Sequence, residues 1–139
     1  MKSKLILLCG VVVVFLFPLA CSSGVSVEVS CDEFMKVKHI SKEVQVAAGD
    51  SFTVTLCSNP TTGFQWSESA QVSDQTVLQQ TDHRFVPAQE KGVVGAPGEE
   101  VWTFKALKKG SSTISLEYSR PWENGEKGEW TFSLTVMVR

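Results

Sequence analysis

Polar and apolar residues alternate with a period of two along most of the chain after position 40, and no helical repeat of any length interrupts them. Glu43–Ala47 (EVQVA) is short and alternating. Ser51–Cys57 sets Phe52, Val54 and Leu56 against Thr53 and Thr55. Phe64 and Trp66 open a third segment, and Thr76–Phe85 is a weaker one, polar in its middle. Val101–Ala106 sets Trp102, Phe104 and Ala106 against Thr103 and Lys105. Thr113–Tyr118 sets Ile114, Leu116 and Tyr118 against Ser115 and Glu117. Trp130–Val138 is the clearest, with Trp130, Phe132, Leu134, Val136 and Val138 on one face. Alternation of this kind predicts half-buried strands. Seven are expected, with room for an eighth around Phe34–Ile40. Short, evenly spaced strands in a domain of this size predict an all-β, immunoglobulin-like antiparallel sandwich of seven to eight strands.

The amino-terminal segment follows a different rule. Lys2 and Lys4 precede an uncharged apolar run of 13 residues, Leu5–Phe17. That run is shorter than the ~20 residues of a spanning helix and fits the core of a secretory signal over residues 1–20. Pro18-Leu19-Ala20-Cys21 then leads into Ser22-Ser23-Gly24. A small residue before a cysteine, followed by a polar stretch, resembles a lipoprotein signal in which Cys21 becomes the lipidated first residue and anchors the chain to a membrane. Ordinary secretion after cleavage near Ala20 is the alternative. Either way the chain is expected to be exported, as a cell-envelope lipoprotein or a secreted protein. Residues 21–30 read as a tether and 31–139 as one domain, with no repeat, low-complexity tract or second domain.

Without residues 1–20 the chain carries 11 basic and 15 acidic side chains, a formal charge of −4, and its longest basic run is Lys108-Lys109. Nucleic acid is not an expected partner, because phosphate binding needs a clustered cationic face. Cys9 leaves with the signal and Cys21 is the lipid candidate, so Cys31 and Cys57 remain. In an exported chain the simplest arrangement pairs them, the alternative being two free, buried thiols. The only histidines are His39 and His83, and no CxxC or HxxxH spacing occurs; no metal or cofactor is expected. Neither nucleophile elbow, zinc motif nor phosphate loop is visible, and both histidines read as solvated strand residues rather than bases. An enzyme is the least favoured class.

The connections carry more information. With antiparallel neighbours, alternate connections fall at the same end. Ala47–Asp50 (AAGD) and Leu107–Gly110 (LKKG) are short turns. The three others, Ser58–Gly63, the stretch from Val86 to Glu100 and the stretch from Ser119 to Glu129, are long and rich in Pro and Gly. One end closes the fold and the other presents a surface. In the first long connection Pro60 fixes φ, pushes Asn59 toward extended geometry, and Gly63 permits φ > 0 or a close backbone approach. A preformed loop loses little ordering entropy on binding. In the last, Arg120-Pro121-Trp122 sits in an otherwise polar stretch, and Trp and Arg are typical hot-spot residues. The alternative folds Trp122 back on the sandwich or stacks it on Arg120. The middle connection has Gly92, Gly95, Pro97 and Gly98 around Val93 and Val94, either a contact surface or a linker with two buried anchors.

Asn59-Pro60-Thr61-Thr62-Gly63-Phe64, then Gly95-Ala96-Pro97-Gly98, then Arg120-Pro121-Trp122 resemble the three loop motifs of the chagasin family. The resemblance spans nearly the whole domain, with the motifs in order and on the right connections. It implies a tight, reversible, non-covalent inhibitor of papain-like cysteine peptidases, acting as a monomer without a cofactor. The first loop would enter the peptidase cleft over the catalytic cysteine, with Thr61, Thr62 and Gly63 at its tip. The other two would grip either side, with Trp122 near the catalytic histidine. The family's middle motif is usually Gly-x-Gly-Gly; Pro97 departs from it and removes one backbone N–H. The rival reading is a tethered immunoglobulin-like binding or adhesion module with a non-peptidase partner, and a papain inhibition assay separates the two.

Overall fold

The computed structural model describes residues 24–89 and 95–139. The expected signal over 1–20, the lipidation candidate Cys21, and Gly92, Val93 and Val94 of the middle connection lie outside the described residues.

Among the described residues, nine strands form two facing sheets, and one short α-helix follows the first strand. In chain order they are β1 (Val25–Val29), α1 (Cys31–Lys36), β2 (His39–Val46), β3 (Ser51–Ser58), β4 (Gln65–Trp66), β5 (Gln71–Val72), β6 (Leu78–Val86), β7 (Gly98–Ala106), β8 (Gly110–Ser119) and β9 (Trp130–Val138). One sheet runs β1-β3-β7-β6; the other runs β2-β9-β8-β4, with β5 also on β8. The expected sandwich is present, and the alternation places the expected side chains inside. Phe52, Val54 and Leu56 of β3 and Trp102, Phe104 and Ala106 of β7 face Ile114, Leu116 and Tyr118 of β8 and Phe132, Leu134 and Val136 of β9, all buried in one core.

Four expectations need correction. Residues 25–29 are a strand, not part of a tether: Val25, Val27 and Val29 turn inward while the backbone pairs with β3 from Val25↔Phe52 to Val29↔Leu56. The extra strand expected around Phe34–Ile40 is instead α1 followed by the start of β2. Ser30 caps the helix, its Oγ accepting from the Glu33 backbone N–H at 3.2 Å, an N-cap interaction worth about 1 kcal/mol. Not all neighbours are antiparallel: β1–β3 and β2–β9 are parallel. The third segment is broken into β4 and β5, two residues each.

The parallel pairs follow from where α1 sits. β1 and β3 both end at the pole that carries the long connections. From there α1 crosses between the sheets, and β2 starts at that same pole beside β9, with His39 opposite Thr131. Phe34, fully buried, plugs the gap. Its ring stacks on Trp130 with centroids 5.0 Å apart and leans on Trp66 at 5.4 Å. Tyr118 stacks on Trp130 at 5.0 Å, and the Trp66 indole N–H donates to the Cys57 carbonyl at 2.9 Å. Buried aromatics with satisfied polar atoms make a stiff floor, and the long connections stand on it. Cys31 and Cys57 are joined by a disulfide, Cα atoms 5.1 Å apart, which ties the first turn of α1 to the end of β3.

The polar middle of β6 also has a reason. Gln80 receives the Ala70 N–H at 2.8 Å and donates to the Glu68 carbonyl at 2.9 Å, bridging to the β4–β5 segment. His83 is half-buried rather than solvated. It stacks on Trp102 (5.0 Å) and pairs with Glu100 at 2.8 Å, whose other oxygen accepts from the fully buried Ser58 hydroxyl at 2.7 Å. His39 is exposed, its Nδ1 2.9 Å from the Thr131 hydroxyl.

Candidate functional site

The three motif-bearing connections meet at one pole, as the strand directions require. The first is a turn of 3₁₀ helix, Pro60–Thr62, closed by Gly63 at φ 81°. Asn59 organises it. Its Oδ1 accepts from the Thr61 backbone N–H (3.3 Å) and hydroxyl (2.6 Å), and its carbonyl accepts from the Thr62 hydroxyl (2.7 Å) and N–H (3.2 Å). Its own backbone N–H donates to the Tyr118 hydroxyl at 3.0 Å, which binds the loop to the aromatic floor. Both threonine hydroxyls are thus turned back onto the loop, leaving Pro60, Thr61 and Thr62 exposed at a tip that is already folded. The glycine is required: only a residue tolerant of positive φ closes the turn there.

Each of the other two connections touches this loop. The Asn59 side-chain amide donates to the Gly95 carbonyl at 3.1 Å, and Gly95 lies beside Thr61, so the middle connection is pinned against the first. On the other side, the Trp122 indole covers Gly63 so closely that a Cβ there would lie 2.7 Å from the ring edge. The Arg120 guanidinium lies 4.5 Å over the Phe64 ring and 5.8 Å from the Trp122 ring, reaches toward the Thr62 carbonyl at 3.5 Å, and pairs with Glu126 at 3.5 Å. Both alternatives considered for Trp122 therefore hold in part. It contacts Arg120, yet 52% of it remains exposed. A tight turn sets its position, with the Gly125 N–H donating to the Trp122 carbonyl at 3.0 Å and Lys127 capping the Arg120 and Trp122 carbonyls.

All but one of the loop residues expected at the site fall into two groups. Pro60, Thr61, Thr62, Gly95, Pro97, Pro121 and Trp122 are exposed at the pole. Asn59, Gly63, Phe64, Ala96 and Arg120 are half-buried; Phe64 stacks on Tyr118 at 5.4 Å and acts as the root of the first loop. Gly98 belongs to neither group: it is buried in β7 opposite Ser58, and a Cβ there would lie 2.5 Å from the Val86 carbonyl and 2.6 Å from the Phe85 ring. Its absence of a side chain seats Phe85. Among the described residues, no group of three or more His, Cys, Asp or Glu side chains is arranged to hold a metal ion.

Helix α1 was not foreseen at this pole. An apolar groove of about 600 Å³ is lined by Phe34 and Met35 of this helix, Thr62 and Phe64 of the first loop, and Arg120 and Trp130.

The model of the chagasin family of peptidase inhibitors, I42, matches residues 45–136. Amoebiasin-2 of Entamoeba histolytica is 32% identical over 96 residues, 69% of this chain and 76% of the relative. Chagasin of Trypanosoma cruzi is 33% identical over 90 residues, 60% of this chain and 77% of its own. The crystal structure of EhICP2, a cysteine protease inhibitor from Entamoeba histolytica, superposes with a TM-score of 0.64 over 84% of this chain and 98% of that one at 24% identity, the same fold. With the three long connections touching at one pole and the family model matching from the end of β2 into β9, the chain belongs to the chagasin family of peptidase inhibitors.

Proposed function

We propose that the chain inhibits papain-like cysteine peptidases reversibly and without a covalent bond, by seating the Asn59–Phe64 loop in the catalytic cleft and clasping its rims with the middle and last connections. The observation that carries this reading is the contact of both flanking connections with one prefolded tip, through Asn59–Gly95 and Gly63–Trp122. Three connections side by side suit an interface of the standard size, about 800 Å² per partner.

The same geometry accounts for inhibition without cleavage. A peptidase substrate lies extended along the cleft. Pro60–Thr62 is instead a 3₁₀ turn, held by four hydrogen bonds from Thr61 and Thr62 to Asn59 and one from the Gly63 N–H to the Pro60 carbonyl, and closed by a left-handed glycine. Unwinding it into an extended path would break these bonds and pull Asn59 from Tyr118. The tip offers the peptidase thiolate no electrophile beyond ordinary peptide carbonyls, and the 3₁₀ turn keeps these out of the extended path of a substrate, so binding is non-covalent. Family membership weighs against the adhesion-module reading. Export belongs to the same proposal, with Cys21 as lipid site or cleavage near Ala20, and the Cys31–Cys57 bond suits an oxidising compartment. A monomer suffices, since one pole carries the whole site.

The test is inhibition of papain by the purified domain, followed by intact-mass measurement. Sub-micromolar inhibition with an uncut chain after prolonged incubation is expected. A folded protein that leaves papain fully active at high micromolar concentration, or that is consumed as a substrate, contradicts the reading.

A further inference from the structure

We infer that α1 is a fourth contact element of the inhibitory pole, and that the groove between it and the first loop receives an apolar side chain from the wall of the peptidase cleft. The inference rests on the function proposed above and extends it to residues outside the family match, which begins at residue 45, whereas α1 spans Cys31–Lys36.

Three observations carry it. The first is position. α1 bridges the two sheets at the pole of the three loops, and its first residue is bonded to Cys57, two residues before Asn59. The second is exposed apolar surface. The exposed large hydrophobic residues among those described are Met35, Val37, Phe85, Leu107, Trp122 and Met137. Leu107 and Met137 lie toward the far pole, by the turn after β7 and the end of β9. The other four are at the loop pole. Met35, 76% exposed, is the most exposed of all six. A methionine held in solvent on a disulfide-fixed helix contributes nothing to the core, and polarizable, adaptable Met side chains are frequent at binding surfaces. The third is continuity. Thr62, at the tip of the inhibitory loop, and Met35 line the same groove, together with Phe34 and Trp130. A body that covers Thr62 therefore abuts this groove. The charged groups lining it are Lys38 and Glu129, which pair with each other, and Arg120, which pairs with Glu126 and lies over the Phe64 ring, so each already has a partner in the free protein.

The floor is rigid for the same reason. Phe34 cannot move without breaking its stack on Trp130, and the helix cannot swing because Cys31 is bonded to β3. Rigid apolar surface beside a preformed loop adds affinity with little ordering cost.

The experiment compares wild type, Met35→Ala and Met35→Asp as inhibitors of papain, and measures amide exchange over residues 31–38 in free and complexed wild type. Expected are a loss of about threefold to tenfold for alanine, a larger loss for aspartate, unchanged melting of both variants, and slowed exchange over α1 in the complex. Equal inhibition by all three proteins, with exchange over α1 unaltered by the peptidase, overturns the inference and leaves the three-loop reading standing. Wild type that does not inhibit papain removes both. If a variant fails to fold, the exchange measurement on wild type decides alone.

Discussion

Replacing Trp122 by alanine is expected to weaken peptidase binding by about 2 kcal/mol or more, a loss of some thirtyfold, while the thermal midpoint stays within about 3 °C of wild type. The two halves of this result have one cause. Trp122 is half-exposed, and its contacts in the free protein are to Gly63 and Arg120, themselves at the pole rather than in the core. Its removal leaves the aromatic floor of Phe34, Tyr118 and Trp130 intact. In the complex the indole would be desolvated against the rim of the cleft, where a large, stiff aromatic contributes most. It also lies over Gly63 and so fixes the first loop from outside. Inhibition constants measured beside differential scanning calorimetry check both halves. A midpoint lowered by 10 °C or more would place Trp122 among the structural residues instead.

The second large effect concerns stability. The Cys31–Cys57 bond closes a loop with a sequence separation of 26. In the chain-entropy account a crosslink of that span stabilises the fold by roughly 3–4 kcal/mol. The Cys31→Ala, Cys57→Ala double variant should therefore melt about 10–20 °C lower. Its consequences are also local. The bond joins α1 to the end of β3, and beyond Cys57 lie Ser58 and then Asn59, which organises the tip. Without the bond, α1, a helix of six residues, is held by Phe34 and its Ser30 cap. Isolated helices of that length are not stable in water. Amide exchange over α1 should accelerate more than exchange over β7 or β8. A double variant that melts within 3 °C of wild type would contradict this account of the amino-terminal segment.

How much of this could be read from the residues alone depended on the length of each signal. β3, β7, β8 and β9 each alternate over many positions, so the hydrophobic effect writes them plainly, and the core they form is the expected one. The loop pole was legible by a parity argument: with strand directions set, the connections holding Pro60, Pro97 and Pro121 share an end. β1 was not legible as a strand. Val25, Val27 and Val29 do alternate, but Ser22, Ser23 and Gly24 before them and Ser30 after them give the segment a polar, linker-like composition. Its parallel partner β3 is more than twenty residues away in sequence. α1 was missed because six residues make less than two turns, too few for a 3.6-residue period to show. One local signal was available: Ser30-x-x-Glu33 has the spacing of a helix N-terminus, and the Ser30 cap is formed. His83 misled for another reason. It sits on a polar-looking strand, yet its partner Glu100 lies on β7, a pairing no local pattern encodes.

We propose that a prefolded Asn59–Phe64 loop, flanked by its two neighbouring connections, fills the cleft of a papain-like peptidase without being cut. A crystal structure of the domain bound to papain tests it most directly. Expected are Thr61, Thr62 and Gly63 over the catalytic cysteine, Trp122 packed on the rim, and an unbroken backbone from Asn59 to Phe64 that keeps its 3₁₀ turn. A peptidase docked on a sheet face or on the pole of the Ala47–Asp50 turn, or a chain severed within residues 59–64, would contradict it.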